Sequence, residues 1–454
     1  DDATKAAKAI EAAFELEIKA KLIDKLRIEN NLSIVAVIGE NMRNQPGVSG
    51  RLFQALGNNG ISVVATAQGS SELNISVVIH KKDLVKALNS LHQGFFLSDV
   101  KTLNVFLVGT GLIGSTLLHQ IDTHATHIRK NKSLEICLAG ISNSKKMLFN
   151  ESGITIKNWK SELEKGEKAD IKKFIAHVKS LNLPQSIIVD CTGGDIVAPH
   201  YETILDNSIS IVTPNKIANA GKMTSYRKIH DVAKKRNVSF LYETNVGAGL
   251  PVINTLKDLL ASGDSIHRIE AVLSGTLSYI FNTFDGTNLF SEVVKDAQAK
   301  GYTEPDPRVD LSGLDVARKL LILARETGLS IELKDIRIES LLPADCMKAK
   351  SVNDFYKALE KHNKSYTSKM VRATNKHQKL RFIAQLEKGK ASIALKEVDT
   401  NHPFYNLSGS DNIISFTTER YHDRPLVVKG PGAGAEVTAA GVFAEIISCS
   451  RYLD

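Results

Sequence analysis

The stretch Leu103-Asn104-Val105-Phe106-Leu107-Val108-Gly109-Thr110-Gly111-Leu112-Ile113-Gly114 decides the fold of the larger part of this 454-residue chain. An apolar run of this length, ended by glycines, reads as a buried strand, and the G-x-G-x-x-G spacing that follows opens a helix. In that setting the glycines let backbone N–H groups approach a pyrophosphate at the positive end of the helix. A bare G-x-G-x-x-G is often only a tight turn, so it is the strand before it and the helix after it that point to dinucleotide binding. Further apolar strands are expected at 134–141, 186–190 and 208–213, with helical patterns between them. Alternating helices and fully apolar strands imply a parallel, doubly wound α/β sheet.

On the N-terminal side, 96–101 reads as a linker, and before it the order strand (33–39), helix (47–57), strand (61–67), turn (68–71), strand (73–79), helix (82–91) suggests a small ferredoxin-like α+β unit. Residues 4–19 form an amphipathic helical pattern with no partner elements before it, and the chain opens Asp1-Asp2 rather than with Met. Both features suggest a fragment from which an N-terminal part is missing, so a targeting peptide would not be visible. On the C-terminal side a helix at 251–261, a strand with a glycine turn at 268–275 and helical segments to about 328 precede a mixed region to 428. The glycine-rich 430–434 then leads into a last helix at 437–448.

Composition excludes several classes. Hydrophobic residues make up 43% and charged residues 24% of the chain, as in a globular protein with real cores. No apolar run approaches the ~20 residues that span a bilayer, so no membrane role is expected. The net charge of +8 mixes both signs throughout and comes with no arginine- and aromatic-rich motif, which argues against a nucleic-acid partner. It favours an anionic cofactor or substrate instead. Cys137, Cys191, Cys346 and Cys449 are far apart with no C-x-x-C pair, which fits neither a disulfide framework nor a zinc site and suggests a reducing, cytoplasmic-type compartment.

The chemistry-bearing residues lie where such a sheet would gather them. After the second strand, Ser142-Asn143-Ser144-Lys145-Lys146 lacks the acidic residue that holds a ribose 2′-hydroxyl, and its two lysines either meet a 2′-phosphate or are solvated loop residues. NADP is therefore favoured and NAD tolerated. Asp190-Cys191-Thr192-Gly193-Gly194 and Thr213-Pro214-Asn215-Lys216 end the next two strands, the edge at which open α/β sheets bind ligands. Thr192 and Lys216 are placed to reach the nicotinamide, although Asn-Lys is equally a helix cap with an exposed lysine. The glycine-rich stretch from Glu243 to Pro251 either turns carbonyls inward around a hard monovalent cation or is a domain hinge. The densest cluster is Glu304, Asp310, Asp315 and Lys319, with two prolines stiffening the loop. Asp315 and Lys319 are four apart and share a helix face. A surface ion pair has the same spacing, but the neighbouring carboxylates suggest a general acid/base lysine beside an ammonium-binding site.

Taken together, the glycine loop at 109–114, TPNK at 213–216, ETNVGAGLP at 243–251, GYTEPDPR at 301–308, the 310–319 segment and GPGAGAEVTAAGVF at 430–443 run in the order found in homoserine dehydrogenase. The chain resembles the C-terminal part of bifunctional aspartate kinase–homoserine dehydrogenase, with residues 33–97 resembling an ACT regulatory module. The resemblance implies a Rossmann-like domain over 101–245 plus 429–454 and an α+β catalytic and dimerisation domain over 246–428. It further implies an ACT domain over 31–100 and the remnant of a preceding ACT repeat over 1–30, with no kinase domain in this chain.

By the same resemblance Lys319 is the proton donor/acceptor, Lys216 the second active-site lysine, and Glu304, Asp315 and Asp310 hold homoserine. Gly109, Thr110, Gly111, Leu112, Ile113, Gly114, Asn143, Ser144, Thr192, Lys216, Gly301 and Gly434 contact NADP. Glu243 and the carbonyls of Val246, Ala248 and Leu250 hold sodium. Val309 stands where the family often has a first aspartate, leaving Asp310 alone in that part. Gln68 and Asn74 are candidate contacts for threonine or lysine, or simply residues of a strand-turn-strand. The resemblance implies hydride transfer between L-homoserine and L-aspartate 4-semialdehyde by a dimer or tetramer, located in a plastid if the source is a plant. The rivals are an amino-acid-sensing binding protein without turnover and a dehydrogenase for another small amino alcohol.

Overall fold

The computed structural model describes residues 2–43, 45–69, 73–95 and 100–450. The expected linker at 96–101 and the turn at 68–71 therefore fall largely outside the described residues. The chain divides into two units, residues 1–99 with 182–184, and 100–181 with 185–454.

In the first unit β1 (Leu32–Ile38), β2 (Val63–Gln68) and β3 (Asn74–His80) form an antiparallel sheet of order β1-β3-β2. The side-chain period of two sends Val35 and Val37 of β1 and Ile75, Val77 and Ile79 of β3 to one face. There they form a core with Leu52 and Leu56 of helix Val48–Gly57 and Ala87 and Leu91 of helix Leu84–Phe95. The expected strand-helix-strand-strand-helix order is present. The pattern at 4–19 is helical but interrupted, Asp2–Ala13 then Glu15–Lys19, and of its residues only Ala7 is buried.

The second unit opens with a seven-stranded sheet made of β4 (Lys101–Val108), β5 (Leu134–Ser142), β6 (Lys146–Phe149), β7 (Glu167–Lys168), β8 (Ser186–Asp190), β9 (Ser210–Val212) and β10 (Phe240–Leu241), in the order β10-β9-β8-β4-β5-β6-β7. β4 sits between two parallel neighbours, which is why Leu103–Val108 carries apolar side chains on both faces. The run from β10 to β5 is parallel, whereas β6 and β7 are antiparallel, a departure from the all-parallel sheet expected from the sequence. The cause is local: the Asn143 carboxamide oxygen accepts the N–H groups of Lys145 and Lys146, both at 2.7 Å, and turns the chain back on itself.

The remaining strands, β11 (Ile266–Val272), β12 (Arg337–Ile338), β13 (Lys379–Glu387), β14 (Lys390–Val398), β15 (Asp411–Thr418) and β16 (Leu426–Pro431), form a six-stranded sheet of order β12-β14-β13-β11-β15-β16. Helix Leu314–Glu326 buries Val316, Ala317 and an unbroken run from Leu320 to Arg325. A helix covered nearly all round is a rigid mount for what its first turns carry. Helix Ala435–Ser448 returns to the seven-stranded sheet, where Ala439, Val442, Phe443 and Ile446 share a core with Leu117, Leu118 and Ile121 of helix Leu112–Lys132. Among the described residues no helix is long and apolar enough to cross a membrane, and all four cysteines are free. Cys346 lies with Asp345 and His362, whose side chains are paired at 2.9 Å.

Candidate active site

The glycine loop connects β4 to helix Leu112–Lys132 with no room for side chains at two of its three glycines. Gly109 has φ +96°, and a Cβ there would sit 2.8 Å from the Cys191 carbonyl. A Cβ on Gly114 would lie 2.0 Å from the Gly109 carbonyl oxygen. At Gly111, which caps the helix, a Cβ would meet nothing within 4 Å. The loop is thus pressed against β8 on one side and open on the other, with unpaired first-turn N–H groups of the helix at its mouth. Thr110 is half-buried and Leu112 exposed on that mouth, with Ile113 packed toward the core. These are the features a pyrophosphate requires.

Beside the loop, Asn143 is committed to its turn, Ser144 and Lys145 are exposed, and Lys146 donates its ammonium to the Gly166 carbonyl at 2.9 Å. Of the two lysines the sequence offers for a 2′-phosphate, only Lys145 is therefore uncommitted.

At the ends of β8 and β9 a buried network fixes the next part of the site. Asp190, fully buried, accepts from the Thr192 N–H (2.9 Å), the Thr192 hydroxyl (2.6 Å) and the Tyr201 hydroxyl (2.6 Å). Thr213 donates to the Asp190 carbonyl, and the Asn215 amide donates to the Gly194 carbonyl at 2.7 Å. Burial pushes the Asp190 carboxyl up, and these donors work against that shift. The network holds Thr192 and the residue before Lys216 in place. A carboxylate ending an otherwise apolar strand was the signal for it in the sequence, where Asp190 has no assigned role.

Lys216 and Lys319 meet at Asp315. Lys319 Nζ lies 2.9 Å from one Asp315 oxygen and donates to the Leu273 carbonyl at 2.7 Å, while Lys216 Nζ lies 3.5 Å from the other oxygen. Burial would raise the Asp315 carboxyl, but the two ammonium groups prevail and hold it at about 2. Lys216 is lowered from the ordinary lysine value, first by burial and then by the Lys319 and Arg318 charges, against the pull of Asp315. A lysine lowered in this way exchanges protons more readily near neutrality.

Asp310 accepts the Glu304 N–H at 2.9 Å and lies 3.1 Å from the Thr276 hydroxyl, and burial pushes its carboxyl up. Asp310 thus shapes the loop that carries Glu304, whose own carboxylate is exposed. Val309, beside Asp310, is 57% exposed and faces solvent. Gly301 and Gly434 both have positive φ, at a helix end and at the start of the last helix respectively.

The 243–251 loop has its own geometry. Both Glu243 oxygens accept backbone N–H groups, those of Val252 and Ile253 at 2.6 Å and that of Asn254 at 2.7 Å, and so cap helix Ile253–Ala261. Burial raises its carboxyl against these bonds. Gly247 (φ +80°) and Ala248 (φ +54°) are both left-handed. The Thr244 hydroxyl and one Glu445 oxygen are buried there without a hydrogen-bond partner. Unsatisfied oxygens in a carbonyl-rich loop fit a hard cation. Glu445 is an addition to the sequence reading, and its signal was one charge in an otherwise apolar helix segment. In the first unit the Ser49 hydroxyl donates to the Gln68 side-chain oxygen at 3.2 Å, and Asn74 is half-buried opposite Ile38.

Residues 251–447 match the family model for homoserine dehydrogenase, 109–243 the model for the homoserine dehydrogenase NAD-binding domain, and 35–95 an ACT domain model. The chain is 45% identical over 451 residues to the chloroplastic bifunctional aspartokinase/homoserine dehydrogenase of Daucus carota, covering 98% of this chain and 49% of that protein. It is 38% identical to the bifunctional aspartokinase/homoserine dehydrogenase of Haemophilus influenzae, covering 98% and 54%. The chain thus spans about half the length of the curated relatives it matches. Among solved structures, a Candida auris protein of unknown function superposes with a TM-score of 0.72 at 33% identity, covering 77% of this chain and 99% of that one. A hyperthermophilic archaeal homoserine dehydrogenase in complex with NADPH has the same fold, with a TM-score of 0.60 at 22% identity and coverage of 77% and 98%.

Proposed function

The chain belongs to the homoserine dehydrogenase family, and on that premise we propose that it catalyses the reversible oxidation of L-homoserine to L-aspartate 4-semialdehyde with NADP. The observation that carries this reading is Asp315 set between Lys319 and Lys216. The nicotinamide dinucleotide, when bound, supplies the hydride acceptor and donor. Gly109 to Gly114 hold its pyrophosphate, Lys145 with Asn143 and Ser144 the ribose end, and Thr192, Gly301 and Gly434 the nicotinamide end. Glu304 and Asp315 hold the substrate ammonium, with Asp310 fixing the Glu304 loop through its N–H. Lys319 Nζ exchanges the carbinol proton, steered by Asp315 and the Leu273 carbonyl, and Lys216 serves as its neighbour in that exchange.

The preference for NADP over NAD rests on Lys145 and on the absence of an acidic residue at 142–146. Sodium is read into the loop of Glu243, Val246, Ala248 and Leu250. The ACT unit is read as a sensor of threonine or lysine, with Gln68 and Asn74 facing the effector, and the assembly as a dimer or tetramer. The aspartokinase half named in the relatives would complete the bifunctional protein, and their chloroplastic names support a plastid location. The domain reading is an ACT remnant to 30, an ACT domain to 100, the dinucleotide half to 245 with 429–454, and the catalytic half between. The test is absorbance at 340 nm with homoserine and NADP⁺. Homoserine-dependent NADPH formation is expected, and its absence from folded protein would leave a sensor or a dehydrogenase for another small amino alcohol.

A further inference from the structure

We infer that Glu445, rather than Glu243, is the side chain whose carboxylate neutralises a monovalent cation bound at the 244–250 loop. The inference rests on reading that loop as a cation site. The carboxylate of Glu243 is turned to helix Ile253–Ala261, because its Oε1 accepts two and its Oε2 one of the opening N–H groups. Its charge answers a helix N-terminus. Glu445 reaches the loop from the other side and accepts the Glu243 N–H at 2.6 Å through one oxygen. Its second oxygen is buried and has no hydrogen-bond partner.

The helix carrying Glu445 is built to bring it there. One turn earlier stands Gly441, where a Cβ would come within 2.4 Å of Thr244 Cγ2, 3.1 Å of Gly249 Cα and 3.5 Å of the Ala248 carbonyl oxygen. On the other side a Cβ on Gly249 would lie 2.4 Å from the Val437 carbonyl oxygen. This glycine-to-glycine approach seats the helix on the loop, and residues four apart share that face. The hydroxyl of Thr244, in the same contact, is also buried without a partner. Two orphaned oxygens from different elements, beside a loop with two left-handed residues, form a site of oxygen donors lacking only a positive charge. Lys257 carries a positive charge felt by both Glu243 and Glu445, but its ammonium is taken up by Tyr242 (3.1 Å) and Glu326 (3.6 Å). In this division of labour Glu243 shapes the loop as a positioning residue and Glu445 supplies the charge.

The test compares the whole chain and its E445Q variant by thermal unfolding in sodium chloride against choline chloride at constant ionic strength, together with ²³Na NMR line widths. Glutamine keeps the oxygen that accepts the Glu243 N–H and replaces the second oxygen, with the charge, by an amide NH2 that cannot bind a cation. The wild type is expected to show a saturable sodium-specific rise in midpoint. E445Q is expected to need at least about tenfold more sodium for half of that rise, while staying folded in choline. An unchanged half-saturating concentration in E445Q overturns the assignment to Glu445 and leaves the cation reading standing. No sodium-specific response in the wild type overturns both. Should E445Q not fold in choline, E445D replaces it: a shortened carboxylate should weaken sodium binding measurably, and unchanged binding overturns the assignment.

Discussion

Replacing Asp315 by asparagine separates what this carboxylate does for the fold from what it does for the chemistry. In the folded chain its carboxyl is held at about 2, against about 3.9 for a free aspartate. By linkage that difference is worth about 2.6 kcal/mol at neutral pH. The Asp315 side chain is 49% exposed, however, and solvent screening reduces the figure to about 1 kcal/mol. A folded pKa below the unfolded one stabilises above the unfolded value, and the gain is lost as pH falls through the folded value. D315N should therefore be about 2 °C less stable than wild type at pH 7, with the gap closing between about pH 5 and pH 2. The chemistry should suffer far more. Without the carboxylate Lys216 and Lys319 lose their shared counter-charge, so burial and mutual repulsion lower Lys216 further. Homoserine turnover should fall about 10²-fold or more. Calorimetry from pH 3 to 8 and initial rates at 340 nm measure both effects. Turnover within threefold of wild type would refute the reasoning, as would an activity loss that merely tracks unfolding.

Three further substitutions test the cofactor half. G114A, whose methyl would lie 2.0 Å from the Gly109 carbonyl oxygen, should weaken NADPH binding at least about tenfold by fluorescence titration while circular dichroism stays native. K145A should raise the KM for NADP⁺ about tenfold and leave that for NAD⁺ unchanged, whereas K146A, tied to Gly166, should discriminate far less.

The three-stranded and seven-stranded sheets were legible in the sequence because their patterns are strong. The strand at 103–108, apolar but for Asn104, can only be covered on both faces, and the alternation in β1 and β3 can only be half covered. The antiparallel edge of the larger sheet was not legible, since it depends on one Asn143 side chain closing a turn that reads equally as a loop. At the site, the i,i+4 spacing predicted the Asp315–Lys319 pair, which the structure forms at 2.9 Å. Lys216 joining them comes from a contact across about a hundred residues of sequence. No local pattern encodes such a meeting. For the same reason the roles of Asp190 and Glu445 were hidden: each is one charge in an apolar segment, and its partners lie on other elements. Glu243 shows the converse. The sequence offers its carboxylate to a cation, and the structure shows it accepting the N–H groups of Val252, Ile253 and Asn254 at the start of the next helix.

The proposed role of Lys319 is to carry the proton while the dinucleotide is held elsewhere. K319A, measured for NADPH binding and homoserine turnover on the same preparation, tests it most directly. The account predicts NADPH affinity equal to wild type and turnover lower by about 10²- to 10⁴-fold. Near wild-type turnover in K319A would contradict it.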